Sequence, residues 1–184
     1  MKRSFIVTVS SIVLCALSLS LITGNTASAT YLGGKFYQPK GTVRVVNYKY
    51  SYPHRYGGNA WQGAANWRNA AYRIKPTYGY SNVKIRVKDT YTWANLYGWA
   101  NMYPSKTHNP YSHAEIFLNQ RLMDPLNDFD RTYVATHEFG HTLGLAHSPS
   151  NKTSVMRAGG NGFSFPWYNT PMPYDKGQIN SLYN

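Results

Sequence analysis

Within one short stretch the chain sets out His137-Glu138-Phe139-Gly140-His141-Thr142-Leu143-Gly144-Leu145-Ala146-His147, the spacing H-E-x-x-H-x-x-G-x-x-H. Four residues is close to one turn of an α-helix, so His137 and His141 leave a helix on one face and can share a metal ion. Glu138 stands about 100° round the helix from His137, where its carboxylate can take a proton from bound water without becoming a ligand. Gly144 can adopt the left-handed backbone that ends a helix, after which His147 can swing back as the third ligand. Three neutral imidazoles leave the fourth position of one catalytic zinc ion (Zn2+) to water, the open arrangement that catalytic zinc needs. The ion lowers the pKa of that water and polarises a carbonyl. An ordinary buried helix would have no reason to carry three histidines and a glutamate inward, because buried polar groups without partners are costly.

The elements that must position these groups can be read from patterning. Thr42 to Tyr50 alternates β-branched and aromatic residues and reads as a first strand. Asn59 stands as the N-cap of a helix over Ala60 to Tyr72, with Trp61, Ala64, Ala65 and Arg68 at helical spacing, and Lys75-Pro76 closes it. Val83-Ile85-Val87 alternates with Lys84-Arg86-Lys88 as a half-buried strand, and Trp93 to Tyr103 and Ala114 to Asn119 supply two more. A helix follows from about Asp130 to Leu143, then a Gly/Pro-rich stretch, then a short last helix from Asp175 to Tyr183. The order predicts an α+β domain, a twisted mixed sheet packed on an active-site helix. Trp61, Trp67, Trp93 and Trp99 are expected in the core or on a sheet face.

The totals bound the setting. Met1-Lys2-Arg3, the apolar run Phe5 to Leu21 and Ala27-Ser28-Ala29 read as a secretory signal peptide over 1–29, leaving 30–184 as one catalytic domain and no transmembrane anchor after cleavage. The single cysteine, Cys15, lies inside the signal, so the mature chain is expected to have neither disulfides nor thiol chemistry. Lys+Arg number 19 against 7 Asp+Glu, a net charge of +12. Lys2 and Arg3 leave with the signal, and the remaining excess favours an anionic cell surface as an electrostatic partner. Nucleic acid would suit the charge, but a secreted, extracellular destination argues against it. A monomer is expected.

The extended zinc motif resembles that of the metzincin clan of zinc endopeptidases, and Ser148 after the third histidine resembles its matrixin branch, specifically a small bacterial-type matrixin without a propeptide. The resemblance implies several further roles. Met156, in Ser154-Val155-Met156, would form the methionine turn that floors the three imidazoles. Asp175 to Tyr183 would be the closing helix. Ala114 to Asn119 would be the edge strand on which extended protein or peptide substrates lie, and such an edge binds through backbone groups with little regard for sequence. Phe163, Phe165, Trp167 and Tyr168 would wall the pocket for the residue after the scissile bond.

The chain also departs from that pattern. Trp93 to Ser112 contains no Asp or Glu, so His108 and His113 are a poor calcium site and read as surface or edge residues. Asp124, Asp128 and Asp130 leave calcium open, although Asp128 or Asp130 is better read as the cap of the active-site helix. Ala158 stands where some metzincins place a tyrosine ligand, so none is expected, and no organic cofactor is expected either. The leading expectation is a secreted zinc-dependent endopeptidase with Glu138 as base and His137, His141 and His147 as ligands. Against it stand a non-catalytic cationic cell-wall or carbohydrate-binding protein on the same scaffold and a zinc amidase acting on peptidoglycan. Glu138 favours catalysis, because a pure binder has no use for a base beside the metal.

Overall fold

The computed structural model describes residues 31–36, 46–51, 55–70, 74–79, 81, 83–159 and 163–183. In chain order the elements are β1 (Val46–Ser51), α1 (Gly57–Ala70), β2 (Ile74–Tyr78), β3 (Val83–Thr90), β4 (Gly98–Tyr103), β5 (His113–Asn119), α2 (Gln120–Met123), α3 (Asp128–Thr142) and α4 (Pro173–Tyr183). The strands form one mixed sheet in the order β2-β1-β3-β5-β4, parallel except for β4, which runs antiparallel to β5. The expected α+β class is the architecture found. The signal-peptide reading and the first part of the strand expected from Thr42 lie outside the described residues.

Period-two patterning decides which face of the sheet is covered. In β3, Ile85 and Val87 are buried while Lys84 and Arg86 are exposed, and in β5 Ala114, Ile116 and Leu118 are buried. These side chains, with Met102 of β4, join Ala60, Ala64 and Trp67 of α1 and Phe139 of α3 in one core. Helix α1 packs on α3 and on β2, and α3 packs on β4 and β5, so the His137 to His141 stretch lies on the sheet with α1 at its side. Polar ties fix the α1–α3 contact: Trp67 Nε1 donates to Thr136 O at 2.8 Å, and Asn66 Nδ2 to Thr136 Oγ1 at 3.0 Å.

Several local expectations are corrected. Helix α1 begins at Gly57, with Ala60 N donating to Tyr56 O at 2.9 Å. Asn59 is therefore no cap; its amide instead donates to Asp128 O and Thr132 Oγ1 of α3, each at 3.1 Å. Lys75-Pro76 does not merely end the helix but lies within β2, an edge strand. An edge accommodates a proline, which has no N–H to give to a ladder. The helix expected from Asp130 starts at Asp128 and is capped by Asn127, whose Oδ1 accepts from Asp130 N at 2.9 Å. Asp128 and Asp130 sit in its first turn, where their charge complements the helix dipole. Residues Trp93 to Tyr97 form a loop rather than the start of a strand. Trp67 is fully buried, but Trp61 and Trp93 are exposed, the latter at 80%. Trp99 lies on the sheet, stacked on Phe117 with ring centroids 4.9 Å apart.

The most consequential correction concerns the edge. β5 lies inside the sheet between β3 and β4, so Ala114 to Asn119 has both sides paired, and β4 is the exposed border. Alternation in a sequence reports which residues face the core but not which strand lies beside which. Helix α4 is found as expected, opening at Pro173 with Asp175 in its first turn, a position where proline's missing N–H costs nothing. Among the described residues no helix is long and apolar enough to cross a membrane.

Candidate metal centre

Helix α3 carries the first two histidines one turn apart, and the helix then stops where the third must return. Leu143 N reaches back to Gly140 O at 3.1 Å and Gly144 N to His141 O at 2.9 Å. Gly144 has φ +98°, which a residue with a β-carbon enters only with strain. Beyond it, Ser148 N donates to Met156 O at 2.8 Å. That contact holds the His147 segment against the turn containing Met156.

His137, His141 and His147 converge, each offering one nitrogen within 4.8 Å of the others. His137 Nδ1 lies 2.8 Å from Val155 O, and His141 Nδ1 lies 2.8 Å from Leu145 O. A backbone carbonyl only accepts, so both Nδ1 atoms carry the proton and both Nε2 atoms present lone pairs. Those two lone pairs face each other, His141 Nε2 being 3.1 Å from His137 Nε2, and His147 Nε2 lies 3.3 Å from His141 Nε2. Facing acceptors repel unless a cation lies between them. Imidazoles bound tetrahedrally at about 2.0–2.1 Å would stand about 3.3 Å apart, so the residues present fit a zinc ion. Burial pushes the His137 imidazole well below its ordinary pKa and takes His141 down to about 4, which keeps both neutral as ligands must be.

Glu138 is 5% exposed, and its Oε2 has no hydrogen-bond partner. Desolvation raises its carboxyl to about 8. Gly98, the first residue of β4, packs directly on the Glu138 side chain. The putting together of helix, edge strand and return loop opens a cleft of about 850 Å³ whose lining includes Gly98, Ala100, Tyr133, Glu138, His147 and Phe165. Two of the four expected wall aromatics take part. Phe165 meets Tyr97 with centroids 5.2 Å apart and Tyr133 at 5.7 Å, and Phe163 meets Tyr133 at 6.0 Å. Tyr168 is instead buried at 7%, with its hydroxyl 3.3 Å from Ser154 N, and Trp167 is 81% exposed.

Met156 is 2% exposed and lies against Gly140. Its turn is held by a residue that in sequence reads only as the start of a helix. Asp175, 1% exposed, accepts from Ser154 Oγ, from Val155 N at 2.9 Å and from Met172 N at 2.8 Å. Because Val155 O in turn holds His137, Asp175 acts on the ligand through one residue. The carboxylates considered for calcium do not group. Arg55 engages Asp124 at 2.8 Å and Arg131 meets Asp128 at 3.4 Å, and the one cluster of ligating side chains found among the described residues is the histidine triad. His113 opens the interior strand β5, not an edge, and stacks on Tyr103 of β4 with centroids 4.4 Å apart, while His108 is exposed.

Comparison with known proteins places these features in a wider group. The sequence profile of the matrixin family matches residues 40–183. No curated protein sequence matches the chain significantly. Among solved structures, the chain is similar to myroilysin, with TM-score 0.52, 18% identity, 83% of this chain and 91% of that one covered. A second myroilysin structure gives TM-score 0.54 and 17% identity over 78% of this chain and 94% of that one. The GM1-bound form of the ECX AB5 holotoxin gives TM-score 0.54 and 13% identity over 74% and 79%. At these identities the structural likeness speaks for the fold alone.

Proposed function

We propose, from the premise that this chain belongs to the matrixin family of zinc metalloendopeptidases, that it hydrolyses protein and peptide bonds with Glu138 as the proton carrier. The observation that carries this reading is the convergence of three histidine nitrogens beside a buried carboxylate whose Oε2 has no partner. His137, His141 and His147 would hold one zinc ion through nitrogen, and zinc so held acidifies water and polarises a peptide carbonyl.

The chain's own groups supply the rest. Unpaired N–H and C=O groups on the outer side of β4 take an extended peptide as an added strand. Glu138, pressed against the first residue of that strand, removes a proton from the attacking water and delivers it to the leaving amine nitrogen. The aromatic pocket of Tyr133, Phe163 and Phe165 receives a side chain next to the cut bond and excludes water there. Met156 floors the site, and Val155 O fixes the tautomer and orientation of His137, as outer partners of metal-bound histidines do.

The same reading takes residues 1–29 as a leader removed on secretion and 30–184 as a monomeric extracellular catalytic domain. Support comes from the basic start, apolar run and small residues at 27–29. The basic excess that remains once Lys2 and Arg3 leave with the leader, 17 Lys+Arg against 7 Asp+Glu, supports salt-sensitive retention on anionic cell surfaces, since exposed charge attraction fades as the screening length drops from about 10 Å at 0.1 M to about 3 Å at 1 M.

The test is incubation of zinc-loaded protein with a proteome-derived peptide library, followed by mass spectrometry. New amino and carboxyl termini within peptides, abolished by a chelator and restored by zinc, are expected. An intact library together with binding to cell wall would favour the non-catalytic reading, and release of wall peptides from sugar would favour an amidase.

A further inference from the structure

The loop between β3 and β4 exposes apolar surface in a form that calls for a partner. Tyr91 is 60% exposed, Trp93 80% and Leu96 53%. The two rings meet edge to face at 6.0 Å, and the Arg121 guanidinium lies 5.5 Å from the Trp93 ring. A tryptophan left in water on a floppy loop would mean little. This loop is instead held by its backbone from below.

Asn119, fully buried at the end of β5, donates its amide to Ala94 O at 3.1 Å and Leu96 O at 2.9 Å and accepts from Thr92 N at 3.2 Å. Arg121 donates to Thr92 O at 3.1 Å, to Trp93 O at 3.3 Å and to Ala94 O at 3.0 Å. A buried asparagine that uses both amide ends on one loop fixes the position of what the loop carries. Binding to a rigid, already ordered anchor loses less freedom than binding to a mobile one, and large aromatic anchors carry most of the affinity where they occur at interfaces. The patch is also continuous with the cleft. Asn95, Leu96 and Tyr97 line it, and the edge strand β4 begins at Gly98, next to Glu138. A peptide lying along β4 that continues past Gly98 is led over Leu96 towards Trp93 and Tyr91.

We propose that Tyr91, Trp93 and Leu96 form a docking ridge that captures an apolar or aromatic side chain of a polypeptide substrate, several residues from the bond that is cut. This inference rests on the reading of the cleft as peptide-binding. It makes the enzyme selective for unfolded proteins and long peptides over short ones, without any change in the chemistry at Glu138. A basic side chain is disfavoured on the ridge, because Arg121 places a positive charge against the Trp93 ring.

The experiment compares one cleavable hexapeptide with versions extended by six residues on either side, each extension carrying leucine and phenylalanine. Zinc-loaded enzyme and its Trp93→Ala variant are assayed side by side, with Trp93→Phe as the conservative control and thermal melting as the check on folding. For one of the extended peptides Trp93→Ala is expected to raise KM about tenfold with kcat unchanged, Trp93→Phe to restore most of it, and the hexapeptide to be cut equally by all. Equal KM values for extended peptides in enzyme and variant overturn the ridge. So does a variant whose defect is equal on long and short substrates, or one that only loses dimer formation or glycan binding. Failure of the unaltered enzyme to cut any peptide is a different result: it removes the peptidase reading itself, and the ridge with it.

Discussion

The sulfur of Met156 occupies the space into which a side chain at Gly140 would project: a β-carbon there would lie 2.3 Å from Met156 Sδ and 2.7 Å from Trp67 Cζ2. Gly140 stands between His137 and His141 on α3, so the close packing of the methionine turn depends on one position in the zinc motif having no side chain.

Two substitutions test that contact from opposite sides. Gly140→Ala is expected to destabilise the protein by about 1–3 kcal/mol through overpacking and to lower zinc occupancy as the helix is pushed away. Met156→Ala is expected to leave zinc bound while costing roughly 2–5 kcal/mol, the range for a buried methionine replaced by alanine. Thermal melting and metal analysis of both variants decide it; unchanged melting of Met156→Ala would place the methionine outside the packed floor.

Replacement of Glu138 by alanine is expected to keep zinc near one per chain and to reduce proteolysis about 10²–10⁴-fold, the usual range for loss of a general acid–base group. His137→Ala, His141→Ala and His147→Ala should each lower zinc occupancy instead. A Glu138→Ala enzyme that still cuts casein at the parent rate would show that another group moves the proton.

Asp175→Ala removes the acceptor for Ser154 Oγ and the backbone N–H groups of Val155 and Met172. Leaving buried donors unpaired costs about 1–3 kcal/mol, so a lower melting temperature is expected. Because Val155 O orients His137, zinc affinity should also fall about 10–100-fold, as when outer partners of ligating histidines are lost. Competition with a chelator of known affinity reads this directly. Wild-type zinc affinity with reduced stability would confine Asp175 to packing.

The Arg55 guanidinium, and then the Tyr56 hydroxyl, hold the Asp124 carboxyl below its ordinary pKa. A carboxyl that is more acidic when folded than when unfolded adds stability that is fully present above the unfolded value, about 3.9, and is lost as pH falls through the folded one. The pair is about half exposed, so its effect is small and is best read as a difference. The urea midpoints of parent and Arg55→Gln should be separated at pH 5 and converge towards pH 3. Curves that stay parallel over that range would remove the pair as the cause.

The N-terminal segment 31–36 is tied into the domain: Leu32 N donates to Gly144 O at 2.9 Å, Tyr31 bridges to Leu145 and Phe36 to Tyr111. Lys35 also donates to Leu182 O of α4. Residues 30–41 contain no Cys, His, Asp or Glu to occupy the metal, so protein starting at Thr30 is expected to be active as soon as it folds and binds zinc. Trimming through Phe36 should lower stability and activity together. Activity that appears only after that trimming would reveal a prosegment.

What could be read from the residues in order was everything that depends on local period. The one-turn spacing of His137 and His141, the break at Gly144, the return to His147 and the alternation of Val83 to Lys88 are all set within a turn or a pleat, so they survive any tertiary arrangement. Tertiary structure decided what depends on neighbours distant in the chain. β4 rather than β5 became the edge, because strand order reflects how whole strands share the face under α1 and α3. Asp175 came to hold the methionine turn, because a buried carboxylate must find donors and two of the three it meets, Ser154 Oγ and Val155 N, lie on a distant segment. Asn59 bridged two helices instead of capping one. Trp93 was placed in water rather than in the core, because Asn119 and Arg121 satisfied the backbone beneath it in a loop that faces the cleft.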